Sequence, residues 1–152
     1  MATVRQVIYI NKATDNFSAS DLRELVESAA RNNKKRDITG ALLFTDGCFI
    51  QVIEGGERPM KELLSKLDSD PRHYDIRIIS DHLDESRYFS DWSMGLVSAP
   101  EEEQSIVVGE LHAVPDSDFS SQETDTIMPL PQTIAMMQRL YETDSVLQHA
   151  RR

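Results

Sequence analysis

The stretch ITGALLFTDGCFIQVIEG, residues 38–55, governs the predicted fold of this chain. Two apolar runs, residues 41–44 and 48–53, flank the pair Asp46-Gly47. Because Asp-Gly tolerates positive φ at both central turn positions, the stretch predicts a tight hairpin. A strand with water on one face alternates between apolar and polar residues, and these runs do not alternate. We therefore expect both strands to be covered on both faces.

One uncharged polar side chain, Gln51, interrupts the second apolar run. Period-two alternation places Gln51 on the same face as Phe49 and Ile53. A buried carboxamide needs partners for its two N–H donors and for its oxygen acceptor. Two interpretations stay open on this strand alone: the backbone satisfies Gln51, or Gln51 faces a bound ligand.

The segment before the hairpin predicts a strand, a loop and the start of a helix. Residues 4–10 are rich in β-branched and aromatic side chains, which favour a strand, and Tyr9 lies on one face with Val7. Residues 11–17 predict a loop. Ser18 begins a capping box with the acidic residue three positions later, so we expect a helix to start there.

This first helix is predicted to end in two carboxamides. Its apolar stripe comprises Leu22, Leu25, Val26 and Ala29. Extending the stripe reaches Asn33, and Asn32 lies four residues after Ser28 on the adjoining edge. One asparagine is explained by a helix C-cap, where Asn adopts a left-handed conformation. Two in succession on the inward side favour contact with a ligand.

The next segments complete a β-α-β-β-α-β-β order. A proline in its first turn is compatible with a second helix over residues 59–68. Strands are predicted at residues 75–80 and 92–97, separated by a polar connection over 81–91; Trp92 and Met94 share a face of the last strand. The first six elements follow the ferredoxin-like split β-α-β pattern, an α+β fold with two helices on one face of the sheet.

Strands that are apolar on both faces need a second cover, and the tail of the chain supplies a candidate. Residues 101–111 and 132–147 predict helices, with a loop over 112–133 between them. We therefore expect residues 1–98 to form the ferredoxin-like domain. Residues 99–152 are expected to form a C-terminal helical extension packed on the free face. A detached interaction tail is the alternative.

Composition limits the classes of function. The chain has 152 residues and a formal net charge of −10, which argues against nonspecific binding to nucleic acid or to an anionic membrane. Its single cysteine, Cys48, lies in an apolar run, which favours a core thiol. Without a disulfide framework, signal peptide or transmembrane run, the sequence predicts a cytoplasmic protein.

The sequence lacks the short motifs of common enzymes. It contains neither G-x-x-x-x-G-K-[ST] nor G-x-G-x-x-G, the two standard phosphate-binding loops. It also lacks C-x-x-C, H-E-x-x-H and the G-x-S-x-G elbow, and its four histidines show no metal-ligand spacing. We therefore expect no metal site and no hydrolytic chemistry.

Several short pieces of sequence together resemble the BLUF family of blue-light sensors. The pieces are Tyr9, Asn32-Asn33, Ile38-Thr39-Gly40, Gln51, Glu54-Gly55, Asp70-x-Arg72-His73 and Trp92-Ser93-Met94-Gly95. Each piece alone is weakly specific, but their order and spacing match the family over roughly residues 4–98. The resemblance implies that the domain binds FAD noncovalently between its two helices, with FMN or riboflavin as alternative flavins.

The resemblance also implies roles for individual residues. Tyr9 resembles the photoactive tyrosine that donates an electron and a proton, and Gln51 the glutamine that rotates or tautomerises in response. Trp92 and Met94 resemble the pair that exchanges or reorients on the last strand. The remaining cofactor-binding candidates are Ser28, Asn32, Asn33, Arg72 and His73. Asn11 departs from the family, which often has serine there, and this could alter the hydrogen bonds behind the tyrosine.

The function implied by the resemblance is a switch and not an enzyme. The signal is expected to pass to a separate effector protein or through contacts in a homo-oligomer. Two alternatives stay open: a flavin-binding domain without a photocycle, and a ferredoxin-like ligand-binding or acyl-phosphatase-like domain without flavin. The colour of the purified protein and its response to blue light distinguish these possibilities.

Overall fold

The computed structural model describes residues 3–13, 18–45, 47–67, 73–90, 92–99, 101–112, 131–142 and 148–151. The elements in chain order are β1 (Val4–Ala13), α1 (Ala19–Lys35), β2 (Thr39–Thr45), β3 (Cys48–Gly55), α2 (Glu57–Leu67), β4 (His73–Asp84), β5 (Trp92–Val97), α3 (Glu101–His112), α4 (Pro131–Glu142) and β6 (Gln148–Arg151). The first seven elements confirm the predicted β-α-β-β-α-β-β order.

The strands form one sheet in the order β4-β1-β3-β2-β5-β6. The strands β4, β1, β3 and β2 are antiparallel neighbours, as in a ferredoxin-like sheet. β5 then adds beside β2 in parallel, and β6 pairs with β5 antiparallel. The sheet places β1 and β3, which carry Tyr9 and Gln51, side by side at its centre.

The central hairpin forms as the sequence predicts. Thr45 pairs with Cys48, so the loop has two residues, and Gly47 has a φ of 71°. Such left-handed φ values are what glycine adopts without strain in tight hairpin turns. Asp46 lies outside the described residues. Every residue from 49 to 55 is buried, which confirms that this strand is covered on both faces.

Two helices cover one face of the sheet. Ser18 caps α1, accepting from the backbone N–H of Asp21 while its own N–H donates to the Asp21 carboxylate, so the predicted capping box is present. The cleft-side core comprises Val7, Tyr9, Ala13, Leu25, Val26, Ala30, Ile38, Leu42, Phe49, Ile53, Met60, Met94 and Leu96. Alternation along β1 and β3 therefore directs Tyr9 to this face, as predicted.

The two C-terminal helices cover the opposite face. The tail-side core comprises Ile8, Ile10, Ala41, Leu43, Ile50, Val52, Ile79, Phe89, Val97, Ala99, Val107, Leu111, Ile134, Met136 and Met137. Glu110 of α3 accepts hydrogen bonds from the backbone N–H groups of Gln132 and Thr133 and thereby caps α4. The helices of the tail pack on the face that α1 and α2 leave open, so a detached tail is wrong for α3 and α4.

Two strands are longer than the sequence indicated. β1 continues to Ala13, although residues 11–17 were expected to form a loop; residues 14–17 lie outside the described part. β4 continues through residues 81–84, which were expected to be part of a polar connection. Backbone pairing with β1 holds residues 81–84 in the sheet. Arg5 also makes two hydrogen bonds to the Asp81 carboxylate, and the pKa of Arg5 is raised by that bond.

The end of the chain also differs from the prediction. α4 ends at Glu142 rather than near residue 147, and residues 143–147 lie outside the described part. β6 was not predicted, because its sequence QHAR has no apolar alternation. Among the described helices, none is both long and apolar enough to cross a membrane.

Gly40 lies where β2 passes close to β3, so a side chain there should destabilise the fold. A Cβ on Gly40 would lie 2.1 Å from the Val52 carbonyl oxygen and 3.2 Å from the Ile53 Cα. Because these atoms belong to the backbone, Gly40→Ala should lower the free energy of unfolding by about 1–3 kcal/mol or more. Urea denaturation measures this loss. Gly109→Ala in α3 meets nothing within 4 Å and serves as the control; equal losses would contradict the prediction.

Candidate functional site

A cleft lies between α1, α2 and the sheet. Its volume is about 800 Å³, with the open mouth included. Most of the lining is apolar and comes from Leu25, Val26, Ala29, Leu42, Ile53 and Leu63. The polar lining includes Tyr9, Ser28, Asn32, Asn33 and Gln51, all of which the sequence singled out. An apolar cleft with a few convergent polar groups is the usual form of a cofactor site.

Tyr9 and Gln51 face each other across two neighbouring strands. They are directly paired in the antiparallel register of β1 and β3, and both side chains are buried. Directly opposed residues have Cβ atoms about 4.5–5.5 Å apart on the same face of the sheet. Leu42 of β2 pairs with Gln51 on its other side. The strand pairing therefore holds a phenol and a carboxamide side by side in the cleft.

Asn33 connects α1 to the last strand of the predicted domain. Its side-chain Nδ2 donates to the backbone carbonyl of Ser93 at 2.8 Å, and the residue is buried. α1 continues two residues beyond Asn33 and is capped at Arg36, so the side chain of Asn33 is not the helix C-cap. Asn32 is exposed at the surface and also lines the cleft. The C-cap interpretation therefore does not apply to Asn33, and ligand contact by the pair stays a prediction.

Met94 of β5 also lies in the cleft. It is 2% exposed and belongs to the cleft-side core. For Trp92 the structure describes only the backbone, as the first residue of β5. The same holds for His73 at the start of β4, and Arg72 lies outside the described residues. The cleft thus brings together Tyr9, Ser28, Asn32, Asn33, Gln51 and Met94 from the predicted set.

Two basic residues of the cleft were missed in the sequence. Arg36 at the C-cap of α1 and Lys66 in the last turn of α2 both line it. Guanidinium and ammonium groups are common partners of phosphate oxygens. The only signal in the sequence was that each lies at the end of a predicted helix, and basic residues there are also explained by the helix dipole.

The donors and acceptors of the cleft fit a flavin ring. A flavin has an apolar ring system, with carbonyl oxygens, a ring N–H and a ring nitrogen acceptor along one edge. The carboxamides of Asn32, Asn33 and Gln51 can each donate and accept a hydrogen bond. The apolar lining suits the rest of the ring. Within the described part of the chain, no cluster of His, Cys, Asp and Glu could hold a metal ion.

Comparison with known proteins agrees with this site. The family model described as BLUF, sensors of blue-light using FAD, matches residues 4–95. Over 104 residues the chain is 36% identical to photoactivated adenylate cyclase subunit beta of Euglena longa, covering 66% of this chain and 12% of that protein. Over 70 residues it is 37% identical to the blue light- and temperature-regulated antirepressor BluF of Escherichia coli strain K12, covering 46% and 17%.

A solved structure shares the architecture over nearly the whole chain. The dark-state structure of BlrB, a BLUF protein, matches with a TM-score of 0.68 and 25% identity, covering 95% of this chain and 98% of that one. The curated relatives are much longer, since the matched region spans about an eighth to a sixth of their length. The family match, the shared fold and the flavin-compatible cleft lead to one conclusion: the chain belongs to the BLUF family of flavin-binding blue-light sensors.

Proposed function

We propose that this BLUF domain binds FAD in the cleft between α1 and α2 and acts as a light-driven hydrogen-bond switch built on Tyr9 and Gln51. The observation that carries the proposal is the direct pairing of these two residues across β1 and β3, with both side chains buried. A phenol beside a carboxamide gives a proton donor next to a group that can both donate and accept.

The cleft residues divide into two groups by chemistry. Asn32, Asn33 and Ser28 offer hydrogen bonds to the polar edge of the flavin ring. Arg36 and Lys66 offer positive charge to the phosphates of a dinucleotide, which favours FAD over riboflavin. Arg72 and His73 remain candidates from the resemblance alone.

Two side chains of this chain, Tyr9 and Gln51, carry the proposed hydrogen-bond change. A bound flavin supplies the absorption of blue light and an electron acceptor. With flavin bound, Tyr9 would be the electron donor and its phenolic proton would pass to the paired carboxamide of Gln51; both would return to Tyr9 when the reaction reverses. Gln51 then presents a different donor and acceptor arrangement to its neighbours, because its carboxamide can rotate about the last side-chain torsion. No covalent bond of a substrate changes, so the proposed function is a switch and not catalysis.

We propose that the light signal leaves the cleft through β5. Met94 lies in the cleft, and the chain runs from β5 directly toward α3. In this proposal residues 1–98 sense light and residues 99–152 carry the response. A separate effector protein receives the signal in the cytoplasm, with a homo-oligomer as the proposed assembly. Neither nucleic acid nor a membrane is a proposed partner, because the net charge is −10.

Absorption spectroscopy of the purified protein tests the function. We expect a yellow protein whose visible absorption shifts reversibly to the red under blue light and recovers in the dark. A yellow protein without a shift would support a flavin-binding domain that has no photocycle. A colourless protein that does not take up added flavin would overturn the proposal in favour of a different ligand.

Asn33→Ala should weaken flavin binding or alter the dark spectrum. The substitution removes both the bond to Ser93 and a polar group of the cleft. Loss of a buried hydrogen-bond partner costs about 1–3 kcal/mol, so flavin affinity should fall by roughly 5- to 150-fold. Fluorescence titration with flavin measures the affinity. Asn32→Ala, at an exposed position, is the control and should have the smaller effect. A normal spectrum and affinity with reduced stability would mean that Asn33 only joins α1 to β5.

Met94→Ala should separate the spectral change from its transmission. We expect the red shift to remain, because Gln51 is untouched. In the native protein, light should change hydrogen-exchange protection in residues 92–111 more than in α2, since β5 leads to α3. In the variant that difference should shrink. Hydrogen exchange on dark and illuminated samples measures both. Equal light effects in the two proteins would assign transmission to another route.

A further inference from the structure

Glu54 is a fully buried carboxylate that the proposed photochemistry does not use. It lies on β3 three residues after Gln51, on the opposite face, and its cross-strand neighbours there are the buried polar residues Gln6 and Thr39. Its Oε2 accepts hydrogen bonds from the Gln6 side chain at 2.9 Å and from the Tyr88 backbone N–H at 2.6 Å, and its Oε1 accepts from the Phe89 N–H at 2.8 Å. Two of these three bonds go to the connection between β4 and β5.

Arg87 lies in the same connection and donates hydrogen bonds to residues outside it. Its Nη1 donates to the Thr39 hydroxyl at 2.9 Å and to the backbone carbonyl of Glu54 at 3.2 Å. Its Nη2 donates to the backbone carbonyl of Asp37 at 2.8 Å. The guanidinium therefore ties the connection to β2, to β3 and to the turn after α1. Only 11% of its side chain is exposed, so the guanidinium itself is largely shielded from water.

These contacts act close to the upstream end of β5. Phe89 is buried in the tail-side core, and Trp92 begins β5 three residues later. Three residues span at most about 10 Å, so the position of Phe89 limits where β5 can start. One residue further along, the Ser93 carbonyl accepts the bond from Asn33. The start of β5 is thus held by the connection before it and by the cleft-lining Asn33.

We propose that Glu54 and Arg87 are positioning residues that hold the upstream end of β5, the strand that carries Trp92 and the cleft-lining Met94, in its dark position. The inference rests on the proposed function, since that assigns β5 to the light response. A buried carboxylate is costly to desolvate, and an apolar residue would fill the same place in the sheet. The bonds of Glu54 are directed at the connection, so its effect is to restrain that segment. A weaker restraint leaves β5 freer to leave its dark position.

The matched pair Arg87→Lys and Arg5→Lys tests the inference in the full-length flavin-loaded protein. Lysine keeps the charge but loses the forked donor geometry, so each substitution weakens a multidentate contact. Arg5 binds only the Asp81 carboxylate among the described contacts and makes none to residues 85–90.

Glu54→Gln is the second test variant, because its amide nitrogen cannot accept the backbone N–H bonds. Trp92 is the single tryptophan of the chain, so acrylamide quenching of its fluorescence reports on this end of β5 alone.

We expect Arg87→Lys and Glu54→Gln to raise the quenching constant of Trp92 in the dark by about twofold or more. We also expect them to slow dark recovery by about threefold or more, because the restraint no longer returns β5 to its dark position. Arg5→Lys should change neither quantity. Quenching and recovery equal to those of Arg5→Lys would overturn the inference. If the native protein shows no red shift, the proposed function fails. The quenching constants in the dark then still test whether Glu54 and Arg87 position the start of β5.

Discussion

Gln51→Leu should keep the bound flavin and abolish the light-induced red shift. Leucine is close to glutamine in volume and suits a cleft whose lining is mostly apolar, so folding and flavin binding should survive. In the proposed switch the Gln51 carboxamide exchanges the positions of its hydrogen-bond donor and acceptor. Leucine can neither donate nor accept a hydrogen bond, so it cannot make this change. Difference absorption spectra of dark and illuminated protein measure the result. The expected effect is complete loss of the shift rather than a smaller shift.

A matched control makes this result specific to the cleft. Gln104→Leu makes the same chemical change on α3, where the amide donates to the Ala99 carbonyl at 3.2 Å and the residue is exposed. That variant should keep the full red shift. A normal photocycle in Gln51→Leu would remove Gln51 from the mechanism and leave Tyr9 without its proposed partner. Loss of flavin from Gln51→Leu would instead assign the carboxamide to cofactor binding.

The centre of the fold was predictable from sequence because its signals are local. An Asp-Gly pair between two apolar runs specifies the hairpin turn, and the runs specify strands covered on both faces. Once the strands are known, period-two alternation fixes the face of each side chain. Tyr9 could therefore be placed on a face with Val7, and Gln51 on a face with Phe49 and Ile53, on strands that the ferredoxin-like pattern makes neighbours. That the two residues share a face required the structure. Their direct pairing in register required the structure.

The edges of the fold were less predictable because tertiary pairing overrides local pattern there. Residues 81–84 are polar except for Leu83 and suggest a connection, yet pairing with β1 keeps them in β4. β6 has four residues and no apolar alternation, so nothing in its sequence distinguishes it from coil; its register with β5 defines it. Arg36 and Lys66 were missed as cleft residues because they are 30 positions apart in the chain. They line one cleft only because α1 and α2 cover the same face of the sheet.

Glu54 shows how a recognised motif can hide a second role. In the sequence the pair Glu54-Gly55 was one piece of a family pattern with no chemistry attached. In the structure the carboxylate accepts backbone bonds from residues 34 and 35 positions later in the chain. Contacts of such sequence separation leave no periodic signal, so residue spacing alone could not indicate them. The same separation lets one side chain on β3 position the start of β5.

Tyr9→Phe should fold, bind flavin and lose the photocycle. Phenylalanine fills nearly the same buried volume in the cleft-side core, so the loss of stability should stay within about 0.5–1.5 kcal/mol, the usual contribution of one hydrogen bond. Without the hydroxyl the residue has no proton to release, and proton-coupled electron donation to an excited flavin should fail. Transient absorption and steady-state difference spectra measure the photocycle.

Tyr88→Phe is the matched control for the Tyr9 substitution. Tyr88 packs against the tail-side core on the other face of the sheet, and burial there raises the pKa of its phenol. Its contact with Glu54 uses the backbone N–H, which phenylalanine retains. Removing this phenol should therefore leave the red shift intact. If Tyr9→Phe still shifts reversibly while the control is normal, another side chain must supply the electron, and Trp92 at the start of β5 is the first residue to replace.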